Sequence, residues 1–168
     1  MASSLVGQGF PEDVTFQYVP YSPEKADLNA CGIPVKFDAS RDFKDKKVVL
    51  VAVPGAFTRT CSEKHIPTFV QHQDALKAKG VDKVVVIAYN DSMVMSAWGK
   101  ANGVTDDYII FASDTDVKFS ASIKLVKDDG RTQRYALIVD HGKITYAGVS
   151  DTKGVIEGTD AASVLAHL

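Results

Sequence analysis

Val48-Val-Leu-Val-Ala-Val53, running into Pro54-Gly-Ala-Phe-Thr-Arg-Thr-Cys61 and then Ser62-Glu-Lys-His65, is the stretch that decides the fold. Six apolar residues without a break, four of them valine, read as a strand buried on both faces. The Pro and Gly that follow end the strand and turn the chain. A helix comes next. Thr60 with Glu63 three residues later is a capping-box pattern that makes Thr60 the N-cap, and Thr58 is the alternative cap. Both readings put Cys61 in the first helical turn, among unpaired backbone N–H groups at the positive end of the helix dipole, a setting that favours thiolate over thiol. Cys61 is therefore a candidate nucleophile, with the Thr58 hydroxyl and the charges of Arg59 and Lys64 close in sequence. The competing reading is a buried cysteine that acts as a small hydrophobe.

Working outward, Val84-Val-Val-Ile-Ala-Tyr89 is a second buried strand. The intervening helix, Ser62 to Lys79, makes a right-handed parallel crossover the expected connection. Pro67 interrupts that helix and bends it unless it lies in the first turn after a break, and Gly80 ends it. Asn90-Asp-Ser92 opens a helix that runs through Trp98 to Ala101 and stops at Asn102-Gly103. Ile109-Ile-Phe111 is a third strand, and Asp114 to Ile123 a short helix with Phe119 and Ile123 turned inward. Arg134 to Asp140 and Lys143 to Val149 read as an antiparallel hairpin turning at His141-Gly142. A helix over Asp160 to Leu168 closes the chain.

Residues 1 to 46 read as an irregular arm. In it Thr15-Phe-Gln-Tyr-Val19 and Val35-Lys-Phe37 are candidate paired strands. Cys31 lies between them among the loop formers Asn29, Gly32 and Pro34, so its thiol is expected to be mobile and accessible. The whole order describes an α/β protein with a mixed central sheet, helices on both faces and an N-terminal strand-rich arm. The 168 residues suit a single domain.

Composition narrows the function. A net charge of -2 and a pI near 6.1 give no basic footprint for nucleic acid, and Lys44-Asp-Lys-Lys47 reads as a solvated turn. No run approaches the length of a membrane span, and Met1-Ala-Ser-Ser lacks the charged-then-apolar pattern of a secretory leader. The expected location is cytoplasmic. Ala166-His167-Leu168 loosely resembles the Ser-Lys-Leu peroxisomal address, which would send a fraction there. The two cysteines and four histidines form no ligand-spacing set, so neither a metal nor another cofactor is expected. In a reducing compartment Cys31 and Cys61 are better redox groups than structural ones, and no Cys-x-x-Cys occurs.

Pro54, Thr58 and Cys61 reproduce a Pro-x-x-x-Thr-x-x-Cys signature, and the longer string from Pro54 to Pro67 resembles the peroxiredoxin family in its peroxiredoxin 5 branch. Ser96-Ala-Trp98, Phe111-Ala-Ser-Asp114 and Arg134-Tyr-Ala-Leu-Ile-Val-Asp140 extend the resemblance over nearly the whole chain. The resemblance implies a thioredoxin-like fold and a thiol peroxidase for hydrogen peroxide and alkyl hydroperoxides. Cys61 would be the peroxidatic cysteine, Thr58 a hydrogen-bond partner of peroxide and sulfur, and Pro54 a shield over the pocket. Arg134 would be the cation facing the sulfur, with Arg131 its near alternative. His65, four residues after Cys61, could share a helix face with it and is read as a positioning residue of the pocket wall.

Relatives in this branch often carry a C-terminal resolving cysteine, and none follows Cys61 here. Cys31 resembles in position the resolving cysteine of fungal members, which implies a Cys31–Cys61 disulfide between protomers of a homodimer, reduced by thioredoxin. A one-Cys cycle recycled by glutathione and glutaredoxin is the competing expectation. Two other classes stand beside it: a thioredoxin-like holdase or binding module, and a Cys–His hydrolase built on Cys61 and His65.

Overall fold

The computed structural model describes residues 2–168. Its strands are β1 (Thr15–Tyr18), β2 (Val35–Asp38), β3 (Lys47–Ala52), β4 (Lys83–Ala88), β5 (Ile109–Ser113), β6 (Arg134–Asp140) and β7 (Lys143–Ser150). The α-helices are α1 (Ala39–Asp42), α2 (Ile66–Gln71), α3 (Gln73–Ala78), α4 (Ser92–Ala101), α5 (Lys118–Ser122) and α6 (Ala161–Leu165). All seven strands belong to one sheet, ordered β2-β1-β5-β4-β3-β6-β7. β3, β4 and β5 run parallel, and β6 and β7 are added antiparallel beyond β3. This is the thioredoxin-like peroxiredoxin fold, α/β with a mixed sheet, as expected.

The sheet divides two cores by residue parity, since successive side chains of a strand point to opposite faces. On β3, Val49 and Val51 join Phe69, Leu76, Met95, Trp98 and Val164 on one face. Val48, Leu50 and Ala52 join Phe43, Phe119, Tyr135 and Leu137 on the other. Helices therefore cover both faces: α2, α3, α4 and α6 the first, α1 and α5 the second. On β6 the same rule sends Ala136 and Ile138 to the first face, and Arg134 shares their parity.

Three expectations change in detail. The N-terminal segment is less an arm than an extension of the sheet, because β1 pairs antiparallel with both β2 and β5. Thr60 is not the N-cap: its own backbone is helical, its side chain caps nothing, and the first helical bond runs from the Ser62 N–H to the Thr58 carbonyl at 2.9 Å. The single helix over Ser62 to Lys79 is broken twice, first by a π turn at Cys61–His65 and again at His72 between α2 and α3.

Pro67 explains the π turn. Within a regular helix it would strand the carbonyl four residues back and its ring would clash with that group. Here the Ile66 N–H closes instead on the Cys61 carbonyl, and Pro67 falls in the first turn of α2, where no donor is missed. At the far end Gly80, with φ of 79°, takes the left-handed conformation. Val81 N–H then reaches the Leu76 carbonyl and Gly80 N–H the Lys77 carbonyl, the Schellman arrangement.

Candidate active site

β3 ends one residue before Val53, and the chain turns through Pro54 to Thr58 before the helix begins. Phe57 takes a left-handed backbone, φ 56°, uncommon for a bulky residue and costly by about 1–3 kcal/mol. The turn is secured from both sides. Ala56 N–H donates to the Asn90 side chain at 2.8 Å, and the Thr58 hydroxyl donates to the Gly55 carbonyl at 2.7 Å. That second bond leaves Thr58 Oγ1 with lone pairs to offer, so towards a guest it is an acceptor.

Cys61 follows in the first turn, 1% exposed. Arg134, at the start of β6 and 7% exposed, lies across the gap: its Nη2 donates to Cys61 Sγ at 3.3 Å. Parity on β6 brings it there, one step beyond Ala136 on the face shared with α2. The other arm of the guanidinium, Nη1, donates to His65 Nδ1 at 2.8 Å. For that nitrogen to accept, the ring proton must sit on Nε2, where it meets the Thr159 carbonyl at 2.8 Å. His65 is fully buried, and desolvation, aided by the charge of Arg134, lowers its pKa to about 4, so the ring is neutral. His65 thus holds Arg134 and touches a fixed carbonyl, with both nitrogens taken; a Cys–His dyad is not formed.

Thr159 reaches His65 because its segment presses against β7. A Cβ on Gly148 would fall 1.8 Å from the Gly158 carbonyl oxygen, so only glycine allows that approach. Tyr146 completes the anchorage by donating its hydroxyl to the same Gly158 carbonyl at 2.7 Å.

Pro54, Thr58, Cys61 and Arg134 border one cavity of about 610 Å³, with Arg59 and Arg131 also on its lining. The peroxidatic set expected from the sequence, Pro54, Thr58, Cys61 and Arg134, is therefore together. Arg131 is not the sulfur's partner: Asp129 engages its guanidinium at 2.6 and 2.9 Å. Cys31 does not line the cavity. It is an exposed free thiol on the loop between β1 and β2, its Sγ 3.7 Å from the Asn29 carbonyl. Trp98 belongs to the core, and its indole N–H donates to the Ser62 hydroxyl at 3.0 Å.

Sequence reasoning missed the Thr159 carbonyl and the Trp98–Ser62 bond. Neither carries a local signal, since the partners lie 94 and 36 residues apart. Among the described residues no three His, Cys, Asp or Glu side chains converge as a metal site, and no helix is long and apolar enough to cross a membrane.

The Redoxin family model matches residues 5–165. Peroxiredoxin Pen c 3 of Penicillium citrinum is 52% identical over 99% of both chains. A Lipomyces kononenkoae protein named as a peroxisomal peroxiredoxin is 51% identical, over 95% of this chain and 98% of its own. Among solved structures, reduced Prx3 of Vibrio vulnificus in complex with H2O2 superposes with a TM-score of 0.82 at 38% identity, over 96% of both chains.

Proposed function

The chain belongs to the redoxin family as a peroxiredoxin peroxidase, and from that premise we propose that Cys61 reduces hydrogen peroxide and alkyl hydroperoxides with Arg134, Thr58 and Pro54 as its working surroundings. The observation that carries this reading is the 3.3 Å bond from Arg134 Nη2 to Cys61 Sγ, both residues lining a cavity of about 610 Å³. A peroxide offers a weak O–O bond and no carbonyl to attack. Its reduction needs a thiolate, alignment of both oxygens, and positive charge where the leaving oxygen becomes negative.

In the proposed step the Cys61 thiolate attacks the terminal oxygen of ROOH. The S–O bond forms as the O–O bond breaks, leaving Cys61 as sulfenic acid; the departing alkoxide takes a proton and leaves as ROH. Arg134 faces both the sulfur and the oxygen that gains charge. Thr58 Oγ1 accepts a hydrogen bond from the incoming peroxide while its own proton stays directed at the Gly55 carbonyl. Pro54 borders the cavity and limits water around the sulfenic acid. The bound H2O2 named for the Vibrio vulnificus relative supports a peroxide ligand in a site of this architecture.

For the return step we propose that Cys31 of a second protomer forms a disulfide with Cys61, and that thioredoxin reduces it. The exposure of Cys31 and its separation from the cavity in its own chain support an intermolecular route. The protein would act in the cytoplasm, with a peroxisomal fraction suggested by the Lipomyces kononenkoae relative.

A coupled assay tests the cycle: NADPH, thioredoxin reductase and thioredoxin, with and without hydroperoxide. Peroxide-dependent NADPH loss, ended by Cys31→Ser, is the expected result. Turnover only with glutathione and glutaredoxin would replace this return step with a one-Cys cycle. No peroxide-dependent turnover with either donor would leave the chain a binding module.

A further inference from the structure

The loop carrying Cys31 is fastened to α4 by a single side chain. Lys100 Nζ donates to the carbonyls of Asp27, at 3.0 Å, and Ala30, at 2.6 Å, the second immediately preceding the cysteine. Hydrogen bonds from a charged donor are the stronger kind. Two more restraints bracket the loop. The Tyr21 N–H donates to the Asp107 carboxylate at 2.8 Å, and Gly32 lies so close to Val19 that a Cβ would come within 2.4 Å of its side chain.

The same helix is tied to the other thiol. Two residues before Lys100, Trp98 donates to the hydroxyl of Ser62, the neighbour of Cys61. One rigid element is thus bonded to the residues adjoining both cysteines, while Lys100 itself does not line the Cys61 cavity.

We propose that Lys100 is a positioning residue for disulfide formation: by clasping the Asp27 and Ala30 carbonyls it presents Cys31 in the conformation that captures oxidised Cys61. The inference rests on the reading of Cys31 as the resolving thiol. In that step the Cys31 sulfur attacks the sulfenic sulfur of Cys61. The S–S bond forms, the S–O bond breaks, and the hydroxyl leaves with the Cys31 proton as water. A loop released from Lys100 samples many conformations, few of which present the sulfur, so the encounter becomes rarer.

Reduced wild type, Lys100→Met, Lys100→Arg and Cys31→Ser are each mixed with one equivalent of hydrogen peroxide. Oxidation of Cys61 is followed by fluorescence of Trp98, the sole tryptophan, and by trapping of the sulfenic acid. Disulfide is followed by acid quench and non-reducing electrophoresis. The expected result is Cys61 oxidation at the wild-type rate in both Lys100 variants, with disulfide formation about tenfold slower in Lys100→Met, as loss of two charge-assisted bonds implies. Lys100→Arg, which keeps a cationic donor, restores most of the rate. Disulfide formation in Lys100→Met at or above the wild-type rate overturns the positioning role. A wild type that accumulates no Cys31–Cys61 disulfide sinks the resolving reading itself, and is distinguished from failure of the clasp by that control.

Discussion

The two cysteines of this chain occupy opposite kinds of environment. Cys61 sits at 1% exposure in the first turn of a helix, bonded by an arginine that is held by a histidine, whose other nitrogen meets a fixed carbonyl. Cys31 is exposed on a loop with only a long contact to a neighbouring carbonyl, and its position depends on bonds made by the backbone around it. A thiol that must react quickly with a small, featureless oxidant needs a prepared site; one that must travel to a partner sulfur needs access and a leash. On the proposed cycle, the first half falls to the region of Cys61 and the second half to that of Cys31.

The comparison breaks most sharply at Cys61. Cys61→Ser is expected to reduce peroxide consumption to the uncatalysed background in any reductant system, while Cys31→Ser leaves the rate of the first peroxide reaction unchanged. Arg134 comes next. Arg134→Met should slow Cys61 oxidation about 10²- to 10³-fold, the scale seen when a donor to developing negative charge is removed. Arg134→Lys should recover little, since one ammonium does not serve the sulfur and His65 in the fixed fork of a guanidinium. Rapid-mixing fluorescence with excess peroxide measures both.

That Arg134 would be the cation was legible only partly. Its place before Tyr135-Ala-Leu-Ile-Val-Asp140 came from the family likeness; the physical reason, strand parity that puts it on the face of Ala136 and Ile138, needs the sheet register. The strand at Val48, the stop at Gly80 and the hairpin at His141-Gly142 were all readable, because each depends on local apolar runs or glycine backbone. The π turn at Cys61–His65 was not. The four-residue spacing suggested that His65 faces Cys61, whereas the widened turn leaves it bonded to Arg134 and to Thr159, a partner that only tertiary packing supplies.

His65 offers a pH probe of the prepared site. Its folded pKa, about 4, lies below the unfolded value near 6.5, so the unfolded chain binds the extra proton between these limits. Stability from this group is present above pH 6.5 and lost as pH falls towards 4, about 2 kcal/mol of it between pH 7 and pH 5. Urea unfolding at those two pH values should show a smaller decline in His65→Gln than in wild type. An equal decline would mean that the ring is not held neutral. The smallest effect is expected at Trp98→Phe, where loss of the bond to Ser62 should cost about 1 kcal/mol in urea unfolding, with Cys61 oxidation, followed by sulfenic-acid trapping, nearly unchanged.

The most direct test of the division between the thiols is a single exposure of the reduced protein to one equivalent of hydrogen peroxide in the presence of a sulfenic-acid trap, followed by peptide mass spectrometry. The adduct is expected on Cys61 and not on Cys31, with the Cys61 adduct delayed in Arg134→Met. Label appearing first on Cys31, or on Cys61 at the same rate without Arg134, would contradict that expectation.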